Sequence, residues 1–267
     1  MLPCEKEAVK MGFSFNGITS QSMKIKARLT NWQVSPPLRN QYEIVPGKAG
    51  IADFGADSTE RKIIVSCSVF PQKSFADLVT VLDGVSDWLN PQNGIKHLIL
   101  DDVPDRYYVA RISDSIDCER LLRTAGTFNL NFICPDPYAY ALVDESFTIS
   151  GIGTYTKTRL IGNAESEPIY TVKGEITAGT DKYISITTNG SELRILGNLS
   201  SGESLVIDTS KVTAKVVDAV GNTLRNGLPN LQELNFPVLN CGVNEVILSA
   251  QTAVFTELKI LARSRWR

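Results

Sequence analysis

The chain has 267 residues, 43% of them hydrophobic and 21% charged, with a formal net charge of −2. That length accommodates two domains of ordinary size. The charge balance lacks the basic surplus of a general nucleic-acid binder, and no apolar run of membrane-spanning length occurs. The opening residues MLPCEKEAVK lack the apolar core of a secretory signal, so synthesis in the cytoplasm is expected. Five cysteines are scattered and never form a Cys-x-x-Cys pair, which argues against a disulfide framework or thiol redox motif. Cys67 and Cys134 sit inside apolar strand patterns, where a free cysteine behaves as a small hydrophobe.

In chain order, strand patterns cover Met23–Leu29, Arg61–Phe70, Lys96–Leu100, Arg106–Ile116 and Thr124–Ile133. One helix interrupts them. Within Ser74–Asn90, Phe75, Leu78, Leu82, Val85 and Leu89 form a single apolar stripe. Ser74 and Asp77 form a capping pair, Asn90-Pro91 stops the helix, and Trp88 is a packing anchor. The stretch Ser35–Ser58 is long and rich in proline and glycine, which reads as a loop. It holds Tyr42, Ile44, Val45, Ile51 and Phe54, more apolar surface than a disordered linker carries. Two readings fit: an arm that packs on a neighbouring subunit, and a mobile surface loop.

The stretch GTFNLNFICPDPYAYA (Gly126–Ala141) places Phe128, Leu130 and Phe132 on one face of a strand. Pro135 and Pro137 then remove two backbone donors and turn the chain out of the sheet, with Asp136 and Tyr138 in the same turn. Beyond Tyr140 no helix pattern remains. Short strand patterns at Pro168–Ile176, Tyr183–Thr187, Glu192–Ile195, Glu203–Asp208, Lys215–Val217, Asn244–Leu248 and Glu257–Leu261 alternate with turn signals such as Asn189-Gly190. That spacing predicts a β-sandwich. Residues 11–137 are therefore expected to form an α+β domain and residues 138–267 a sandwich, with Pro135–Tyr138 as the hinge and residues 1–10 as an extension.

Catalytic and metal-binding constellations are scarce. His97 is the single histidine, has no Ser or Cys motif beside it, and reads as structural. Asp101, Asp102 and Asp105 read as a polar hairpin turn without the ligand pattern of a calcium loop. Gly151–Gly162 lacks the spacing of a phosphate loop. No catalytic, metal or cofactor site is expected.

MGFSFNGITSQSM (Met11–Met23) resembles the start of distal tail (Dit) proteins of long-tailed phages, prophages and tail-like particles. The resemblance runs in order through DWLN (Asp87–Asn90), LILDDVPDRYYVARI (Leu98–Ile112), GTFNLNFICPDPYAYA, IGNAESEPIYTVKGEI (Ile161–Ile176), GESLVIDTS (Gly202–Ser210), FPVLNCGVNEVILS (Phe236–Ser249) and the ending ILARSRWR. The ten residues before Met11 depart from it, since relatives commonly begin at the equivalent of Met11. The resemblance implies a mainly β chain: a β-barrel-like N-terminal domain with one helix, then a galectin-like β-sandwich. It also implies a non-enzymatic homo-hexameric ring at the virion tail tip, assembled in the host cytoplasm. Such a ring joins the tail-tube protein to a tail-associated or baseplate protein, and its sandwiches can carry receptor-binding components. DNA would pass through the ring without specific binding. The segment Ser35–Ser58 is then the candidate ring-contact arm, and deletion of Pro46–Asp57 is expected to prevent ring closure. The alternatives are a monomeric carbohydrate-binding adhesion module and a glycosidase with two distant carboxylates.

Overall fold

A computed structural model describes residues 12–177, 179 and 181–267; the expected N-terminal extension, residues 1–10, lies outside the described residues. The chain is mainly β, with one α-helix among the described residues, and it divides into two compact units. The division falls after Leu142, rather than after Pro137.

The first unit contains β1 (Phe13–Phe15), β2 (Ile18–Thr19), β3 (Ile25–Trp32), β4 (Leu38–Glu43), β5 (Ala52–Ser58) and β6 (Arg61–Val69). Helix α1 (Phe75–Trp88) follows, then β7 (Lys96–Leu100), β8 (Val103–Ile112), β9 (Glu119–Leu122), β10 (Ala125–Cys134) and β11 (Ala139–Ala141). The main sheet runs β2-β1-β7-β8-β10-β6-β3, with β9 paired to β10 and β11 to β8. Neighbouring strands are antiparallel, as in Phe132↔Ile63 and Phe132↔Ile112. Strict alternation builds this sheet. In β6, Arg61, Ile63, Val65, Cys67 and Val69 are all buried while the intervening residues are not.

Helix α1 starts where Ser74 Oγ accepts the Asp77 amide at 3.1 Å, which satisfies one orphan donor of the first turn. Leu78, Val85 and Leu89 are buried; Phe75, expected in the same stripe, is exposed. Trp88 anchors the helix to the sheet. Its indole stacks on Phe13 at 5.4 Å, and its Nε1 donates to the Phe15 carbonyl at 3.0 Å. Phe132 meets the edge of Phe13, so this aromatic cluster joins β1, β10 and the helix.

The second unit holds β12 (Ser146–Ile149), β13 (Gly153–Arg159), β14 (Ile169–Glu175), β15 (Tyr183–Thr188), β16 (Ser191–Ile195) and β17 (Ser204–Asp208). It continues through β18 (Thr213–Val217), β19 (Thr223–Asn226), β20 (Gly242–Gln251) and β21 (Val254–Leu261). Two sheets result, β12-β21-β14-β17-β18-β19 and β13-β20-β15-β16. Inward residues of both, among them Tyr170, Val172, Ile186, Leu205, Leu248 and Ile260, share one apolar core. This is a β-sandwich. Asn189-Gly190 turns β15 into β16 with φ of 52° and 83°, a pair of positive angles that this dipeptide adopts readily.

Candidate assembly surface

The stretch Ser35–Ser58 is not a structureless loop. Strands β4 and β5 pair as a separate two-stranded sheet, with Leu38↔Ser58, Arg39↔Asp57, Asn40↔Ala56 and Tyr42↔Asp53 in register. The step from Asn40 to Tyr42 is matched by a longer step from Ala56 to Asp53, so β5 carries an extra residue at Phe54-Gly55. Gly55 sits there at φ 94°, where a side chain would be strained, and its amide donates to Asp53 Oδ1 at 3.0 Å. At the base, the Thr59 amide donates to the Pro37 carbonyl at 2.8 Å.

Every residue from Leu38 to Ser58 is exposed or half-exposed. Tyr42 lies in β4, Ile44, Val45 and Ile51 flank the tip, and Phe54 lies in the β5 bulge. Their exposures are 56%, 72%, 40%, 52% and 68%. The Arg39–Asp57 contact at 3.3 Å is solvent-exposed and contributes little. A two-stranded hairpin standing alone is marginally stable, and both of its strands present unpaired backbone groups. The apolar side chains on this hairpin form an exposed patch of the kind found at interaction sites.

The hairpin is mounted through Arg61. This side chain is 1% exposed. Its Nε donates to the Pro137 carbonyl and its Nη1 to the Gln33 carbonyl, each at 2.9 Å, and the guanidinium lies over the Tyr108 ring. Tyr108 Oη in turn accepts from Trp32 Nε1 at 3.1 Å. One cation therefore ties the run leading into the hairpin to the Pro135–Tyr138 turn. Asp136 orders that turn from within: Oδ1 accepts the Tyr138 amide at 3.1 Å and Oδ2 accepts the Tyr140 hydroxyl at 2.5 Å. The turn lies inside the first unit and leads into β11. Sequence pattern picked out the hairpin residues and the turn separately. It missed Arg61, although Arg61 has the same strand parity as the buried Ile63 and Val65.

The residues weighed for chemistry are dispersed. His97 is exposed, its ring 4.2 Å from Tyr107. Asp105 is held below the usual carboxylate range by its hydrogen bonds from Arg106. Burial pushes the Cys67 and Cys134 thiols up to about 12. Among the described residues no cluster of three or more His, Cys, Asp or Glu could hold a metal, and no helix is long and apolar enough to cross a membrane. In the second unit, the exposed large apolar side chains among the described residues are all aliphatic.

Residues 16–134 match the family described as the phage tail protein RIFT-related domain. No curated protein matches the sequence. The crystal structure of SPP1 Dit, reported as a paradigm of the hub adsorption apparatus in phages infecting Gram-positive hosts, aligns at a TM-score of 0.71 and 15% identity. That alignment covers 97% of this chain and 100% of the SPP1 protein. Two structures of the phage P2 baseplate in its activated conformation, with Ca and with Sr, align at TM-scores of 0.49 and 0.48, each with 10% identity. They cover 90% and 87% of this chain and 91% and 90% of theirs, and at that level they add no weight. Residues 16–134 thus resemble a phage tail protein domain, and the chain as a whole shares its fold with the SPP1 Dit protein.

Proposed function

We propose that the chain is the subunit of a homo-hexameric hub ring at a phage tail tip. The first unit forms the ring and joins the tail-tube protein to the tail-associated or baseplate protein. The sandwich faces outward and serves host attachment by carrying receptor-binding components. The protein acts as an adaptor, not as an enzyme. The observation that carries this reading is the exposed apolar hairpin Leu38–Ser58 on a domain of the phage tail family. One head-to-tail contact between two different, complementary patches, repeated around an axis, closes a ring where the rotation allows, and an exposed apolar hairpin suits one side of such a contact. Among the described residues of the sandwich, no large aromatic side chain stands exposed as the platform of a carbohydrate-binding module would, which supports the adaptor over the adhesin.

The test is light scattering after size exclusion, with negative-stain images of the same fraction, on the parent and on a variant whose residues 38–58 are replaced by a short Gly-Ser linker. Six-fold rings from the parent, with a folded monomer from the variant, are expected. A parent that stays monomeric even with purified tail-tube protein overturns the ring. Measurable glycan affinity in that monomer would favour the adhesin.

A further inference from the structure

A hollow of about 550 Å³ opens between the second half of α1 and the chain after β8. Leu82, Val85, Leu89, Ile112, Ile116 and Cys118 supply its apolar wall. Val79, one turn before Leu82 on the helix, lies outside the lining and is 39% exposed. Arg111 and Asp114 stand among the polar lining residues. We propose, building on the ring inferred above, that this groove receives the hairpin tip of the next copy of the chain.

Four observations select a second copy as the occupant. The groove is of a size that hosts a few aliphatic side chains, and the hairpin tip presents three: Ile44, Val45 and Ile51. The chain's own hairpin leaves the groove open, since none of its residues is buried. The hairpin springs from β3, the terminal strand of the order β8-β10-β6-β3, whereas the groove lies beside the end of β8. Protrusion and recess are therefore separate patches of one unit that share no residue, as a heterologous contact demands. Charges also match: Glu43 and Asp53 flank the tip and can meet Arg111, while Lys48 at the turn can meet Asp114.

Cys118 in the groove makes the contact measurable. V45C and I51C variants, in a background with Cys4 and Cys241 changed to serine, are treated with a short bismaleimide and resolved on a denaturing gel. A ladder of covalent multimers that disappears in C118S is expected. L82E, which places a carboxylate in the apolar wall, is expected to abolish rings while its circular dichroism stays that of the parent. Rings in the images without a Cys118-dependent ladder would overturn the docking and leave the ring standing, as would rings that survive L82E. A crosslink confined to monomer mass would place the tip in its own groove and overturn the proposal. Absence of both rings and ladder overturns the proposal together with the ring.

Discussion

Replacing Arg61 with methionine tests whether one guanidinium mounts the hairpin. The stem is retained and the fork is lost. Two part-buried carbonyls, of Pro137 and Gln33, then lose donors at 2.9 Å, at a cost of roughly 1–3 kcal/mol each. The contact with the Tyr108 ring, 5.7 Å from its centroid, contributes about 1–2 kcal/mol more in a desolvated setting. Against this, Arg61 has no carboxylate in ion-pair range among the described residues, and its Nη2 has no partner, so methionine also removes a charge that is costly to dehydrate. That relief offsets several kcal/mol. The net expectation is about 3 kcal/mol of destabilisation, hence a melting point lower by about 12 °C for a domain of this size. Differential scanning calorimetry of the full chain reads it as a shift confined to one transition, because the second unit has its own core. An R61M protein melting within about 2 °C of the parent would refute the reasoning. It would mean that water satisfies both carbonyls and that dehydration cancels everything the fork contributes.

Two further outcomes follow from the titrating groups. Glu203 is held down to about 2 by a two-pronged contact with Arg225, at 2.7 Å on each oxygen, and by the Ser200 amide. A depressed carboxylate stabilises the fold above its unfolded value and loses that contribution as pH falls towards 2. Screening at this rim site leaves about 1 kcal/mol, so E203Q should melt a few degrees lower at pH 7 and converge with the parent near pH 2. A constant difference across that range would remove the carboxylate as its source. Cys67 and Cys134, buried with thiols near 12, should resist alkylation at pH 8, while the exposed Cys241 reacts, as peptide mass mapping would show. Prompt labelling of Cys134 in folded protein would show that the β10 end opens.

Much of the strand order was legible because burial there follows period two. β6, β10, β15 and β17 each start and end within two residues of the expected positions, and Ser74 with Asp77 located the start of the helix. The hairpin was not legible as strands. Its apolar residues, Leu38, Tyr42, Ile44, Val45, Ile51 and Phe54, share no period, because neither face packs on the chain's own core and a bulge shifts the register between them. β13 was missed for a related reason. It is an edge strand, and Thr154, Thr156 and Thr158 on its exposed face leave no apolar alternation to read. Arg159 at its end is 1% exposed, with Nε on the Asn240 carbonyl at 3.1 Å and Nη2 on the Ala164 carbonyl. Burial lowers its pKa, and the opposing pull of Glu145 and Asp144, neither of them in ion-pair contact, does not cancel that shift.

Arg61 and Arg159 thus share a device that patterns of apolar residues cannot reveal. Each closes an inward row of a strand, and each spends its fork on main-chain carbonyls rather than on acids. Carbonyls belong to the backbone, so such a residue fixes where segments run and leaves neighbouring side chains free to vary. For Arg61 the segments are the lead-in to the hairpin and the turn after β10. In the proposed ring, an arm that docks in a groove on the next copy would gain from a mount that holds its direction before contact, because less freedom is then lost on docking. If the proposed ring forms, loosening that mount should slow its closure even at temperatures where R61M remains folded, a delay that time-resolved light scattering would separate from unfolding.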